Sequence, residues 1–273
     1  MSLALPDFAE LVAPPEWRRI DFISDLHLAA ETPATLAALE AHLQETAADA
    51  VILLGDIFEV WIGDDARTEP FEARCLEMLR KASERLALFF MVGNRDFIAG
   101  EAMAAAGGMK RLADPTVLVA FGQRWLLTHG DALCLEDKPY QAFRAQVRNP
   151  AWQQAWLGRP LAERAALARQ MRAASQARQA EAAAKAAAGS AQESRMGDGE
   201  LWADLDREAS IAWLQAARAT DMIHGHTHRP ATHELAPGLR RHVLSDWDLD
   251  GASPPRAEVL RLRQAGLRRI ALA

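Results

Sequence analysis

Ala50 to Leu54 reads AVILL and runs straight into Gly55-Asp56-Ile57-Phe58-Glu59. Five consecutive apolar residues, closed by a glycine and a carboxylate, predict a short strand buried on both faces and ended by a tight turn. Similar runs stand on either side, IDFIS from Ile20 to Ser24 and LALFFMV from Leu86 to Val92. Helix-length segments, Pro33 to Ala47 and Phe71 to Arg85, separate them. Buried strands alternating with helices predict βαβ units, and so an α/β fold. Farther on, TVLVAFGQRWLLTHG, Thr116 to Gly130, reads as two strands joined by a hairpin turn at Gly122. Strand-like text returns in DMIHG, RRHVLS, AEVLRL and LRRIAL, between Asp221 and Leu272.

Lys138 to Trp202 breaks this pattern. It is crowded with Ala, Gln and Arg, all strong helix formers. The organisation expected is a core made of 20–137 and 203–273, a helical cap insertion with a flexible connection at 138–202, and an N-terminal extension at 1–19. From Lys138 to Lys185 nine Lys and Arg face two Glu, a net +7 inside a chain of −6, so the remainder carries −13. Arginines on an Ala-rich helix are often only solvated, but this asymmetry favours an anionic ligand.

Composition narrows the function classes. A chain of 273 residues, half apolar and a quarter charged, is a folded protein and not a disordered or fibrous one. Net charge −6 argues against nucleic acid held by bulk electrostatics. Two distant cysteines, Cys75 and Cys134, indicate neither a disulfide framework nor a thiolate metal site. The first residues do not read as a signal peptide, and no apolar run reaches the roughly 18 residues of a membrane span. A cytoplasmic protein with at most peripheral membrane contact is expected.

Metal-binding groups recur at the predicted strand ends. Asp25 and His27, in SDLH, point the same way on an extended chain and can converge on one ion, although a capping Asp and an incidental His account equally for the pair. Asp56 follows a buried strand, where open α/β sheets place ligands; GD is also a common turn. Asn94, Arg95 and Asp96 close the next strand, and His129 another. HGHTH, with His224, His226 and His228, differs from these. Eight histidines scattered at random would almost never give this spacing, and metal binding is its usual cause. Oxygen donors with imidazoles suit Mn²⁺, Fe²⁺ or Zn²⁺. Seven ligand groups exceed the needs of one ion with an open water position, so two ions sharing a carboxylate are expected, with Asp56 as the bridge.

The series SDLH, GDIFE, GNRD, THGD and HGHTH resembles the calcineurin-like metallophosphoesterases, whose pattern is DxH, GD, GN, H and HxH. That superfamily usually follows GN with His and Glu, where this chain has Arg95 and Asp96. The departure, with GDIFEVWIGDD, VGNRDF, HGDALCLEDKPYQAFR, MRAAS and HGHTHRPATHEL, is similar to one branch, the UDP-2,3-diacylglucosamine pyrophosphatases of the lipid A pathway. The likeness runs from Ile20 to about Leu235.

It implies a four-layered αββα core, a helical cap, two Mn²⁺ ions and peripheral attachment to the cytoplasmic face of the inner membrane. It implies Asp25, His27, Asp56 and His228 around one ion and Asp56, Asn94, His129 and His226 around the other. Asn94, Arg95 and His226 would serve catalysis. Substrate contacts would be Asn94, Arg95, Asp137, Tyr140, Ser175 and His226, with Gln179 standing where the branch has Asn. The branch lysine is replaced by Ala182; on a helix turning about 100° per residue, Arg178 stands only about 40° from that direction and could supply the cation. Trp152, Trp156 and Leu157 are candidate linings for acyl chains, although helix packing explains them as well. The implied reaction is attack of a metal-activated hydroxide on the α-phosphorus of UDP-2,3-diacylglucosamine, giving UMP and 2,3-diacylglucosamine 1-phosphate. The alternatives are a broader phosphodiesterase or nucleotide pyrophosphatase with a soluble substrate, and a noncatalytic metal-binding scaffold.

Overall fold

In the computed structural model, which describes residues 5–173 and 204–273, the continuous apolar runs become strands buried on both faces. Strands β1 (Ala9–Val12), β6 (Thr116–Ala120), β7 (Gln123–Leu127), β8 (Asp221–His224), β9 (Ala231–Ala236) and β10 (Leu239–Val243) form one six-stranded sheet in the order β1-β6-β7-β8-β10-β9. The second sheet takes β2 (Ile20–Ile23), β3 (Ala50–Leu54), β4 (Ala87–Met91), β5 (Met109–Leu112), β11 (Glu258–Arg263) and β12 (Gly266–Ala271) in the order β12-β11-β2-β3-β4-β5. Strands β2 to β5 are parallel, while β11 and β12 add antiparallel edges.

The sheets face each other across one apolar layer. Ile20, Phe22, Ala50, Ile52, Leu54, Phe89 and Met91 from one meet Leu118, Trp125, Leu127 and Ile223 from the other. At about 25 cal/mol per Å² of apolar surface buried, this shared layer is the main stabiliser of the sandwich. Alternate residues turn to the outer face, where Asp21 of β2 meets helix α1 (Pro33–Glu45) through His42 and strand β11 through Arg261. The crossovers α1 and α2 (Pro70–Ser83) bury Leu36, Leu39, Leu43, Cys75, Leu76 and Leu79. A short helix, α3 (Glu101–Ala106), precedes β5. Two sheets with helical crossovers form the αββα sandwich of the fold class expected. The hairpin at Gly122 is present, with Phe121 and Gly122 at φ 53° and 77°, the two left-handed positions of a tight turn.

Three strands were not foreseen. Ala9–Val12, inside the segment read as an extension, pairs in parallel with β6. β5 and β9 are polar edge strands, MKRL and ATHELA, whose text carries no continuous apolar run.

The chain divides into two compact units, 1–133 with 205–273, and 134–204. The described part of the smaller is helical: α4 (Lys138–Val147), α5 (Pro150–Leu157) and α6, residues 161–173. Asn149 caps α5 by accepting from the backbone N–H of Ala151 and Trp152, and Trp152 stacks on Trp156 one turn later. In the larger unit, α7 (Arg207–Ala217) leads into β8, capped by Asp206. Among the described residues no helix is long and apolar enough to cross a membrane.

Candidate metal centre

The segments that follow β2, β3, β4, β7 and β8 come together at the carboxyl ends of their strands, as expected for a ligand site in an α/β sheet. Beyond β2 and β3 the ladder continues as a backbone zipper. Asp25 N–H donates to Gly55 O at 3.1 Å, His27 N–H to Asp56 O at 3.0 Å, and Leu28 N–H to Ile57 O at 2.9 Å. SDLH and GDIF therefore run side by side.

Five of the seven non-glycine residues with positive φ among the described residues are Asp25, His27, Asp56, His226 and His228, at φ 47–70°. Left-handed backbone is uncommon outside glycine and carries strain of order 1–3 kcal/mol per residue. Its concentration on the residues singled out for metal binding marks a site whose geometry the fold over-determines. Two glycines permit the close approach. A Cβ on Gly93 would overlap the Asp56 carboxylate, and one on Gly225 the Asp25 carboxylate.

The donor atoms of Asp25, His27 and His228 lie within 4.8 Å of one another, and so do those of Asp25, Asp56 and His129. Asn94 completes the cluster, its Oδ1 lying 2.9 Å from His129 Nε2 and 2.8 Å from His226 Nδ1. All seven residues expected at the metals thus occupy one cluster. Asp25 is common to the two groups, and Asp56 joins it beside His129 in the second. Asp25 is itself held by the His226 N–H at 3.0 and 3.1 Å and by the Ser24 hydroxyl.

The arrangement calls for positive charge. Neutral imidazole has one N–H, and His129 Nδ1 donates its proton to Leu54 O at 2.9 Å. Nε2 then presents a lone pair to Asn94 Oδ1, another acceptor. Without a cation the conflict is relieved by a proton: burial alone would lower the His129 pKa, but the carboxylates of Asp56, Asp25 and Asp131 push it up to about 9. Burial and the neighbouring His129 push His226 down to about 3. Burial raises the Asp25 carboxyl, yet the hydrogen bond from His228 and the charges of His228, His129 and His27 outweigh it and leave it well below the usual range. Buried carboxylates, imidazole lone pairs and an amide oxygen fit divalent ions of intermediate hardness.

The motifs alone give Glu59 no role and Asp96 only that of a turn cap. Asp96 accepts the backbone N–H of Gly93 at 2.7 Å and of Ile57 at 2.8 Å, joining the β3 and β4 turns. Asp96 thereby caps the GNRD turn. Arg95 N–H donates to Asp56 Oδ1 at 2.7 Å, and Arg95 O accepts from Trp61 N–H at 3.2 Å. The GDD aspartate Asp64 accepts from Trp61 Nε1 and from the N–H groups of Gly100, Ala102 and Met103, tying this loop to the start of α3. The Arg95 Nε is buried without a hydrogen-bond partner among the described residues.

Of the residues expected to touch substrate, Asp137 caps α4 through Tyr140 N–H at 2.9 Å, an ordinary structural use. Ser175, Arg178 and Gln179 lie outside the described residues.

The family model for calcineurin-like phosphoesterases matches residues 18–230, the span that supplies every member of this cluster. The chain belongs to that family. As a calcineurin-like phosphoesterase it is a metal-dependent hydrolase, and the donor groups of this cluster are candidate ligands for its metals. A UDP-2,3-diacylglucosamine hydrolase of Xanthomonas axonopodis pv. citri is 43% identical over 246 residues, covering 85% of this chain and 96% of the relative. A protein of the same name from Chromobacterium violaceum is 43% identical over 235 residues, covering 84% and 90%. Among calcineurin-like phosphoesterases, this chain therefore groups with those hydrolases.

Proposed function

We propose that this phosphoesterase hydrolyses the pyrophosphate of UDP-2,3-diacylglucosamine to UMP and 2,3-diacylglucosamine 1-phosphate, with two Mn²⁺ as the working metals. The observation that carries the reading is the seven-residue donor cluster with an arginine beside it, in a chain 43% identical to hydrolases named for that substrate. When bound, the ions supply Lewis acidity and make water a nucleophile near neutral pH. We assign Asp25, His27, Asp56 and His228 to one ion and Asp56, Asn94, His129 and His226 to the other. Asp56 is proposed as the shared ligand, supported by its place at the end of β3, between β2 and β4.

Arg95 is assigned to the phosphate oxygens. Its backbone is bonded at both N–H and carbonyl, so its Cα is fixed, while its buried Nε still has a donor to give. A planar guanidinium in such a position can bind two oxygens at once and stabilise charge developing on them. Asn94 and His226 are assigned to both metal and phosphate. Substrate selection is assigned to the segment 138–202 and the residue before it, with Asp137, Tyr140, Ser175, Arg178 and Gln179 as contacts; the segment's net positive charge supports an anionic ligand. A lipid-linked substrate implies work at the cytoplasmic face of the inner membrane by peripheral contact.

The test is direct. Metal-free protein is loaded with Mn²⁺ and given UDP-2,3-diacylglucosamine, and separately a soluble aryl phosphodiester. Release of UMP and the diacylated sugar phosphate, abolished by chelation, is expected. Turnover of the diester alone would replace this reading with that of a soluble-substrate phosphodiesterase.

A further inference from the structure

The two ring nitrogens of His27 have different surroundings. Nε2 faces His228 Nε2 at 3.3 Å, within the donor group that Asp25 completes. Nδ1 lies 3.0 Å from Glu59 Oε2, and the other oxygen of that carboxylate, Oε1, lies 3.8 Å from Arg95 Nη1. The Nδ1 atom is buried and makes no in-line hydrogen bond among the described residues, and the Glu59 carboxylate lies beside it at 3.0 Å. Glu59 reaches this place through the backbone. Its N–H donates to Leu28 O at 3.1 Å, continuing the zipper between SDLH and GDIF, and Leu28 and Phe58 form a bridge. The carboxylate, 13% exposed, thus stands between a metal-site histidine and the guanidinium assigned to phosphate.

A neutral imidazole can carry its single proton on either nitrogen. A carboxylate beside Nδ1 favours the proton there and leaves the Nε2 lone pair toward the metal cluster. We propose that Glu59 is a positioning residue serving both halves of the site, orienting His27 for its ion and aiming Arg95 at the phosphate. The proposal rests on the two-metal reading above. Glu59 would act through His27 and Arg95, so its loss should appear as a change in metal affinity at one position and as a kcat effect.

The experiment compares E59Q and E59A with the unaltered protein. Mn²⁺ alone is titrated calorimetrically into metal-free protein, bound metal is counted, and steady-state kinetics on UDP-2,3-diacylglucosamine follow. E59A should weaken one of two Mn²⁺ binding events by about 10–100-fold and leave the other close to normal. E59Q keeps the side-chain length and a carbonyl oxygen for the Nδ1 proton but loses the charge facing Arg95. It should recover most of the metal affinity yet keep a kcat about 10-fold low with KM little changed, because Arg95 is no longer held. Thermal unfolding checks that both variants fold; if E59A does not, the kinetics of E59Q decide, a kcat about 10-fold low at unchanged KM supporting the role and an unchanged kcat overturning it. Normal affinity for both ions in E59A, or E59Q no better than E59A, overturns the role of Glu59. Failure of the unaltered protein to bind two Mn²⁺ overturns the two-metal reading instead.

Discussion

The carboxylate of Asp96 grips the backbone beneath Asp56. Besides Gly93 and Ile57, it accepts the Asp56 N–H itself, at 3.3 Å. The grip is reciprocated, because the Asp56 carboxylate accepts the N–H of Arg95, the residue before Asp96. Two turns from neighbouring parallel strands are thereby locked to each other, and the carboxylate proposed to be shared between the ions is aimed by them.

Asp96→Ala would strand three buried N–H donors, each costing about 1–3 kcal/mol when left unsatisfied. We expect a large fall in thermal stability, together with weaker binding of both metals because Asp56 loses its foundation. Calorimetric unfolding and a metal count check this. Stability lost without any change in metal binding would reduce Asp96 to a turn residue.

Gly93→Ala and Gly225→Ala add one methyl each, against the carboxylates of Asp56 and Asp25 respectively. Gly225→Ala meets side chains, of Asp25 and Ser24, and should fold; Gly93→Ala also meets the Asp56 backbone N at 2.5 Å and should lose stability besides, and both should bind Mn²⁺ at least about 10-fold more weakly. Full metal occupancy at ordinary Mn²⁺ concentrations in either variant would show that the close approach is not needed.

Arg95→Ala should lower kcat and kcat/KM together by about 10²-fold or more with both metals retained, as expected for an interaction made mainly in the transition state. Arg95→Lys should not restore the rate, since an ammonium lacks the planar fork. A change confined to KM would make Arg95 a ground-state binding residue.

How far these features were legible depends on burial. AVILL and LALFFMV announced β3 and β4 because strands covered on both faces favour continuous apolar text. AELV and ATHELA gave no such sign because β1 and β9 are edge strands with exposed faces. The chemistry-bearing residues were readable because they sit immediately after strand ends in fixed motifs. Their left-handed backbone was not, since nothing in the letters of Asp25 or His228 reports φ. The partnership of His129 with Leu54 O, across the two sheets, depends on how those sheets stack and has no local signature. Glu59 was visible in GDIFE, but its nearness to His27 appears only once SDLH and GDIF are zipped together.

A second buried carboxylate predicts the pH dependence of stability. Asp21 accepts from Arg261 Nε at 2.6 Å and Nη2 at 2.7 Å and from Thr46 Oγ1 at 2.8 Å, with His42 Nε2 at 3.2 Å. Burial raises its pKa, but Arg261, His42 and Thr46 overrule burial and hold it below the ordinary carboxylate value. A group depressed in the folded state contributes stability that is fully present above its unfolded pKa, about 3.9, and is lost as pH falls through the folded value. The stability gap between the unaltered protein and Asp21→Asn should therefore be flat above about pH 5 and shrink below about pH 4. Arg261→Met should cost about 3–5 kcal/mol by stranding the buried charge. Denaturant melts across pH check both; a gap that persists unchanged at pH 3 would contradict the assignment.

The position of attack tests the central claim most directly. Mn²⁺-loaded protein is incubated with UDP-2,3-diacylglucosamine in ¹⁸O-labelled water, and both products are weighed by mass spectrometry. Attack at the α-phosphorus puts one ¹⁸O into UMP and none into the diacylated sugar phosphate. Label in the sugar phosphate instead, or no cleavage of this substrate with both metals bound, would contradict the account.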